Sequence, residues 1–231
     1  MLSKRISRYI KSLQLKKYRK QELSFIVEGA KGVTELLKSD FEIEYVLFTQ
    51  SFENELNNLP KPDSVEMISV SQKELESLGT FKSNNAALAV VKCKPNDELT
   101  LSGGLTLVLD DVRDPGNLGT IVRLADWYGV KQIVCSKECA DFYNPKVINS
   151  TMGSFTRIDI WYTDLYSVLT NTKLPVYGTV LDGESIYDQQ LSKSGLIVMG
   201  SESHGINDRN RTLINHKLKI PGKGGAESLN V

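Results

Sequence analysis

Three runs of this 231-residue chain carry residue types and spacings that could do chemistry. The first is Leu109-Asp110-Asp111-Val112-Arg113-Asp114-Pro115-Gly116-Asn117-Leu118-Gly119-Thr120-Ile121-Val122-Arg123. An apolar strand runs into a Pro-Gly turn, and a helix is expected to begin near Asn117–Gly119. A helix N-terminus presents unpaired N–H groups that attract anions. Asn117 also reads as a helix cap, worth about 1 kcal/mol. Arg123 follows six residues later, and a lone Arg on a helix is usually a surface charge. The second run is Leu196-Ile197-Val198-Met199-Gly200-Ser201-Glu202-Ser203-His204-Gly205-Ile206, an apolar strand ending in a polar loop bracketed by glycines. Glycines let backbone approach a ligand closely. His204 reads as a loop residue, since nothing in the sequence pairs it with a nucleophile. The third run is Ile220-Pro221-Gly222-Lys223-Gly224-Gly225-Ala226-Glu227-Ser228-Leu229-Asn230-Val231, a strand end and a Gly-rich loop, with a helix expected to start within Ala226–Asn230. None of the three is a dinucleotide fingerprint or a P-loop.

The elements that must position these runs alternate along the chain. Apolar spacing gives a helix over Ser3–Leu15 with Ser3 as its cap, a strand at Phe25–Glu28, and a helix over Gly29–Lys38. Strands follow at Tyr45–Thr49 and Ala86–Lys92, with a short capped helix at Ser71–Leu78 between them. Lys92–Gly104 is rich in turn formers and is the expected domain joint, which divides the chain into residues 1–97 and 98–231. Beyond it, strands at Leu105–Val112, Gln132–Ser136, Arg157–Trp161, Val176–Leu181, Gly195–Gly200 and Lys217–Ile220 are separated by helical stretches at Gly119–Tyr128, Pro145–Met152 and Asp164–Thr170. Strands with helical crossovers imply a mostly parallel α/β sheet, covered on both faces. Ligands in such sheets sit beyond the carboxyl ends of the strands.

Composition narrows the classes. No apolar run approaches the roughly 20 residues that cross a bilayer. Met1–Lys20 lacks the apolar core of a signal peptide. The expectation is a cytoplasmic protein without a membrane partner. Cys93, Cys135 and Cys139 form no CxxC pair, and with two histidines they give no zinc pattern, so free thiols and no metal are expected. The net charge is zero, yet residues 1–20 hold Lys4, Arg5, Arg8, Lys11, Lys16, Lys17, Arg19 and Lys20 and no acidic residue. Such a cluster gains affinity for a polyanion by releasing counterions, although a solvated helix face has the same composition.

Taken together and in order, the three runs resemble the three motifs of the SpoU/TrmH class of SPOUT methyltransferases. DDVRDPGNLGTIVR is similar to motif 1, an Asn followed six residues on by an Arg. IVMGSESHGI is similar to motif 2, a strand followed by Gly-x-Glu-x-x-Gly. LKIPGKGGAESLNV is similar to motif 3. Before the joint, Ser24–Gly29 with its basic upstream helix resembles the family's accessory RNA-binding domain. The resemblance implies an N-terminal L30e-like α/β domain and a C-terminal sheet with a trefoil knot. It implies a homodimer that uses S-adenosylmethionine to methylate a ribose 2′-hydroxyl in RNA. The accessory domain favours 23S-type ribosomal RNA over transfer RNA.

Residue roles follow from the same likeness. Asn117, Arg123 and Glu202 would be catalytic, with Asn117 orienting Arg123. Met199, Gly200, Ser201, Ile220, Ser228, Leu229 and Asn230 would bind the cofactor. Arg123 and the eight basic residues of 1–20 would contact RNA. Two departures stand out. Asn149 occupies a place where family members often carry Arg. The sequence stops at Val231, where the family continues into a further helix, so the resemblance implies a catalytic domain without its last helix and a less closed pocket.

Removing the proton of a 2′-hydroxyl needs a base or electrostatic help. A guanidinium stays protonated in proteins. The expected part for Arg123 is therefore to bind the adjacent phosphate and stabilise the developing alkoxide. The alternative is an RNA-binding SPOUT relative without turnover. A nicotinamide-dependent enzyme is disfavoured by the missing fingerprint.

Overall fold

Ser3 Oγ accepts the Ile6 amide at 3.2 Å in the computed structural model, which describes residues 2–62, 64–95, 97–101, 103–222 and 224. That cap starts α1 (Lys4–Ser12), whose apolar positions bury Ile10 and, just beyond the helix, Leu13. Then come α2 (Lys16–Glu22), β1 (Ser24–Glu28), α3 (Ala30–Leu37), β2 (Ile43–Phe48), α4 (Gln50–Asn57), β3 (Glu66–Ser69), α5 (Gln72–Glu76) and β4 (Ala87–Lys92). The capping box that predicts α5 is formed. Ser71 Oγ accepts the Glu74 amide, and the Glu74 carboxylate accepts the Ser71 amide. The strands make one mixed sheet in the order β1-β4-β2-β3. In it β4 runs antiparallel to β1 and β2, and β2 runs parallel to β3. Central β4 is buried from Ala87 to Val91, the signature of a strand covered on both faces.

The later elements are β5 (Leu105–Asp110), α6 (Pro115–Trp127), β6 (Gln132–Cys135), α7 (Pro145–Ser150), β7 (Asp159–Tyr162), α8 (Leu165–Asn171), β8 (Val176–Ser185), β9 (Gly195–Gly200), α9 (Asp208–Arg211) and β10 (His216–Lys219). Their strands form a six-stranded sheet in the order β10-β8-β9-β5-β6-β7, and every pairing is parallel. The expected mostly parallel α/β sheet is what the chain forms. Val108, Val134, Leu196 and Val198 fill its core with Leu165 and Leu169 of α8. Each such side chain contributes about 1.5–3 kcal/mol through burial.

The chain divides into two compact units. One holds Met1–Pro95 together with Asp141–Thr156, and the other holds Asn96–Ala140 with Arg157–Val231. The segment carrying α7 thus packs in the first unit, although it lies far past the joint read from the sequence. Its aromatic rings explain why. Tyr143 lies 4.5 Å and Phe155 6.0 Å from Phe25, centroid to centroid, and Phe155 is 5.8 Å from Phe41.

Strand order locates the expected ligand site of the second unit. From β5 the chain moves outward to β6, whereas from β9 it moves the other way, past β8 to β10. Adjacent strands whose connections diverge leave a crevice at their carboxyl ends. Here that crevice lies beyond Asp110 and Gly200, which pair across β5 and β9.

Candidate active site

The loop after β5 turns sharply. Asp111 adopts φ +62, a left-handed conformation uncommon for a residue with a side chain. Its carboxylate accepts from Arg113 Nε, and this ion pair raises the Arg113 pKa. Asp114 caps α6, its Oδ1 accepting the Asn117 amide at 2.9 Å, and Pro115 fills the first helical position. The sequence reading of Asn117 as the cap is therefore corrected. With Asp114 capping, Asn117 stands in the first turn and its side chain is available elsewhere. Its Nδ2 donates to Glu202 Oε1 in the loop after β9.

That second loop is a tight hairpin. Ser201 and Gly205 exchange backbone hydrogen bonds of 3.1 and 2.8 Å. Gly205 sits at φ +67. A Cβ on Gly200 would lie 2.0 Å from the Gly205 carbonyl carbon, so glycine is required there by the fold of the loop itself. The loop's exit is anchored to the first motif. Asp110, buried at the end of β5, accepts from Asn207 N and from Asn210 Nδ2, both at 2.9 Å. Ser203 Oγ lies 2.7 Å from His204 Nδ1, and both side chains are exposed.

Between the two loops lies a cleft of about 170 Å³, lined by Asp111–Asp114, Asn117 and Ser201–His204. Its rim carries the carboxylates of Asp111, Asp114 and Glu202 against the single guanidinium of Arg113. A cation suits that balance better than a phosphate does.

The site residues expected from the sequence are distributed as follows. Asn117, Ser201 and Glu202 line this cleft. Met199 and Gly200 lead into it as the last residues of β9, Met199 half-buried and Gly200 buried. Ile220 follows β10, is 53% exposed, and does not line the cleft, since β8 lies between β10 and β9. Ser228, Leu229 and Asn230, with the expected last helical start, lie outside the described residues. Arg123 is exposed on α6 and away from the cleft. Six residues of helix turn it about 120° from Asn117 and carry it about 9 Å along the axis. Within this chain the Asn117 side chain has Glu202 as a partner.

Seven of the eight basic residues in 1–20 are exposed: Lys4, Arg5, Arg8 and Lys11 on α1, and Lys16, Lys17 and Lys20 on α2. Arg19 is the exception and leaves the RNA-binding set. It is 4% exposed. Its Nη1 donates to the Leu13 and Gln14 carbonyls, and its Nη2 pairs with Asp141 at 2.6 Å. A guanidinium so engaged and so buried ties α2 to the segment carrying α7 and is not presented to a phosphate at the surface.

The three cysteines are free thiols. Burial pushes Cys93 up to about 12 and Cys135 well up, while a hydrogen bond from Cys135 brings Cys139 down to about 7 against its own burial. Among the described residues, no group of three or more His, Cys, Asp or Glu side chains is placed to hold a metal ion. No helix there is long and apolar enough to cross a membrane. Sequence reasoning missed Asp110, whose role as the anchor of the second loop depends on a partner 100 residues away.

Comparison with known proteins fits this arrangement. The model of the SpoU rRNA Methylase family matches residues 104–231, more than half of the chain. The MRM3-like substrate binding domain matches residues 4–89. The 23S rRNA (guanosine(2553)-2′-O)-methyltransferase RlmP of Bacillus subtilis is 29% identical over 227 residues, covering 96% of this chain and 89% of that protein. A TrmH-family putative RNA methyltransferase of known structure from Porphyromonas gingivalis is 33% identical, with a TM-score of 0.90 over 100% of this chain and 94% of its own. The AdoMet-bound rRNA methyltransferase of Sinorhizobium meliloti is 26% identical, with a TM-score of 0.86 over 100% and 90%. On the family match over residues 104–231 and the likeness along its whole length, the chain belongs to the SpoU rRNA methylase family.

Proposed function

We propose that this chain transfers a methyl group from S-adenosylmethionine to a ribose 2′-hydroxyl of structured RNA, with 23S-type ribosomal RNA as substrate ahead of transfer RNA. The observation that carries this reading is the Asn117–Glu202 hydrogen bond across the switch-point cleft, which joins motif 1 to motif 2 in a member of this family. The Bacillus relative is named for 2′-O-methylation of 23S rRNA, and the Sinorhizobium neighbour holds AdoMet.

The residues present fit the cofactor. The cleft rim is acidic, which suits a sulfonium cation. When bound, S-adenosylmethionine supplies an electrophilic methyl group. The chain's own part is to align and to manage charge. Gly200 and Ser201 would present backbone to the cofactor, with Met199 behind them on β9. The Asn117–Glu202 bond fixes the two loops that face each other across the reacting centre. Arg123, a cation exposed on α6, binds an RNA phosphate.

The exposed basic faces of α1 and α2 supply the RNA contacts, with residues 1–97 serving as the RNA-binding domain and 98–231 as the methyltransferase. The protein works in the cytoplasm as a homodimer whose catalytic domain carries a trefoil knot. Leu124 and Trp127 on α6 and Tyr128 at its C-cap, exposed by 49, 83 and 77%, favour a second copy on that face.

Titration calorimetry with S-adenosylmethionine tests the reading. Binding at micromolar affinity or tighter is expected. No binding by the folded chain would overturn it in favour of an RNA-binding relative. Nucleoside analysis of the product should then give a 2′-O-methyl ribose, and a methylated base would contradict the choice of acceptor.

A further inference from the structure

We propose that Ser136 and Cys139, in the turn after β6, are positioning residues for this methyl transfer: they clasp the backbone of the loop that carries Asn117 to Glu202. The proposal rests on the functional reading above and adds two residues that no motif contains.

The clasp is made of five hydrogen bonds. The Ser136 amide donates to the Leu109 carbonyl at 2.9 Å, continuing the β5–β6 ladder past the end of β6. The Asp111 amide then donates to Ser136 Oγ at 3.1 Å, and the Val112 amide donates to Cys139 Sγ at 3.3 Å. The Cys139 thiol in turn donates to the Leu109 carbonyl at 3.3 Å, and the Ala140 amide donates to the Val112 carbonyl at 2.9 Å. Both side chains are buried, Ser136 at 6% and Cys139 at 4% exposure, so water does not replace them.

The geometry of the loop explains why a clasp is needed. Asp111 holds φ +62 with a side chain present, and a residue in that region persists only where its surroundings over-determine it. The side chains of Ser136 and Cys139 hold the amides of Asp111 and Val112 in that bend. Asp114, which caps α6, and Asn117 in its first turn follow three and six residues after Asp111. A change of path at Asp111–Val112 therefore moves the Asn117 amide relative to Glu202. The thiol is suited to its place because one sulfur both donates and accepts. A Ser hydroxyl can do the same with a shorter reach, and Ala can do neither.

The test uses the full chain with Ser136→Ala, Cys139→Ala and Cys139→Ser. Three properties are measured: kcat and KM for RNA at saturating S-adenosylmethionine, thermal unfolding, and amide hydrogen exchange. For both Ala variants kcat is expected to fall about tenfold or more while KM stays within about threefold, as for misalignment of a bound substrate. The Asp111 and Val112 amides should exchange faster while those of α6 and β6 keep their protection. Cys139→Ser should recover most of kcat. Folded Ala variants with unchanged kcat would overturn the proposal. So would a loss of kcat that spreads with general loss of protection and is not rescued by Ser, since that marks a merely structural role. If the wild-type chain transfers no methyl group, the functional reading fails on its own account. The exchange measurement then decides the clasp, and unchanged exchange at Asp111 and Val112 in the variants would sink it.

Discussion

At the scale of single residues, the site depends on groups that do unequal jobs. Gly200 works by lacking a side chain. A Cβ there would lie 2.0 Å from the Gly205 carbonyl carbon and 2.2 Å from the Ile206 amide nitrogen, both backbone. Gly200→Ala must open the Ser201–Gly205 hairpin or bend β9. Affinity for S-adenosylmethionine should fall about tenfold or more by calorimetry, and unchanged affinity would place the cofactor away from this loop. Much of this site was legible beforehand because Asn117, Gly200 and Glu202 lie in motifs whose order survives without a structure. The Asn117 cap was misread because two candidate caps, Asp114 and Asn117, stand three residues apart before the same apolar stripe, and Pro115 decides for Asp114. Asp110, Ser136 and Cys139 carried no local signal, since their partners are 25 to 100 residues distant.

At the scale of elements, the first unit contains a polar knot that fixes where α1 lies on its sheet. The Glu44 carboxylate on β2 accepts from Tyr9 Oη of α1 at 2.9 Å and from Ser24 Oγ of β1 at 2.7 Å, and it pairs with Lys92 Nζ of β4 at 3.1 Å. Burial disfavours its charge, but these three partners outweigh burial and hold its pKa below the usual carboxylate range. A carboxyl lowered in the folded state stabilises the protein above its ordinary value and loses that contribution as pH falls through the folded one. Glu44→Gln should cost about 1 kcal/mol at pH 7 in urea unfolding, and the gap from wild type should close below about pH 4. A gap constant from pH 7 to pH 3 would mean the charge is idle.

Strong periodicity made some elements readable and its absence hid others. Capped α1 and α5 and the β-branched run of β4 announce themselves. By contrast α2 is a seven-residue run of mostly charged residues with no side-chain cap, and β3 is a four-residue edge strand with no buried residue. Neither presents an apolar face of its own.

At the scale of the whole molecule, chain order and packing order part company. The joint at Lys92–Gly104 is rich in turn formers and marks where one sheet ends and the next begins. Composition gives no hint that Asp141–Thr156 returns to the first unit. That return depends on aromatic and ionic partners, Phe25, Phe41 and Arg19, which are distant in sequence. The exposed cations of α1 make a prediction at this scale. Replacing Lys4, Arg5, Arg8 and Lys11 by Ala should weaken RNA binding and flatten the dependence of log K on log salt, by roughly one unit for each phosphate no longer neutralised. An unchanged slope would show that RNA docks elsewhere. In the second unit, Trp127→Glu should shift the proposed dimer toward monomer in sedimentation. A dimer unaffected by that charge would place the interface off this face of α6.

The central claim is that the cleft between the two motif loops transfers methyl groups to ribosomal RNA. The most direct measurement is transfer of labelled methyl from S-adenosylmethionine to an unmodified 23S rRNA transcript, by the wild-type chain and by Asn117→Ala. The account predicts labelled RNA with the wild type and a loss of about a hundredfold in kcat with the variant. No label from a wild-type chain that binds both RNA and cofactor, or equal rates for the two proteins, would contradict it.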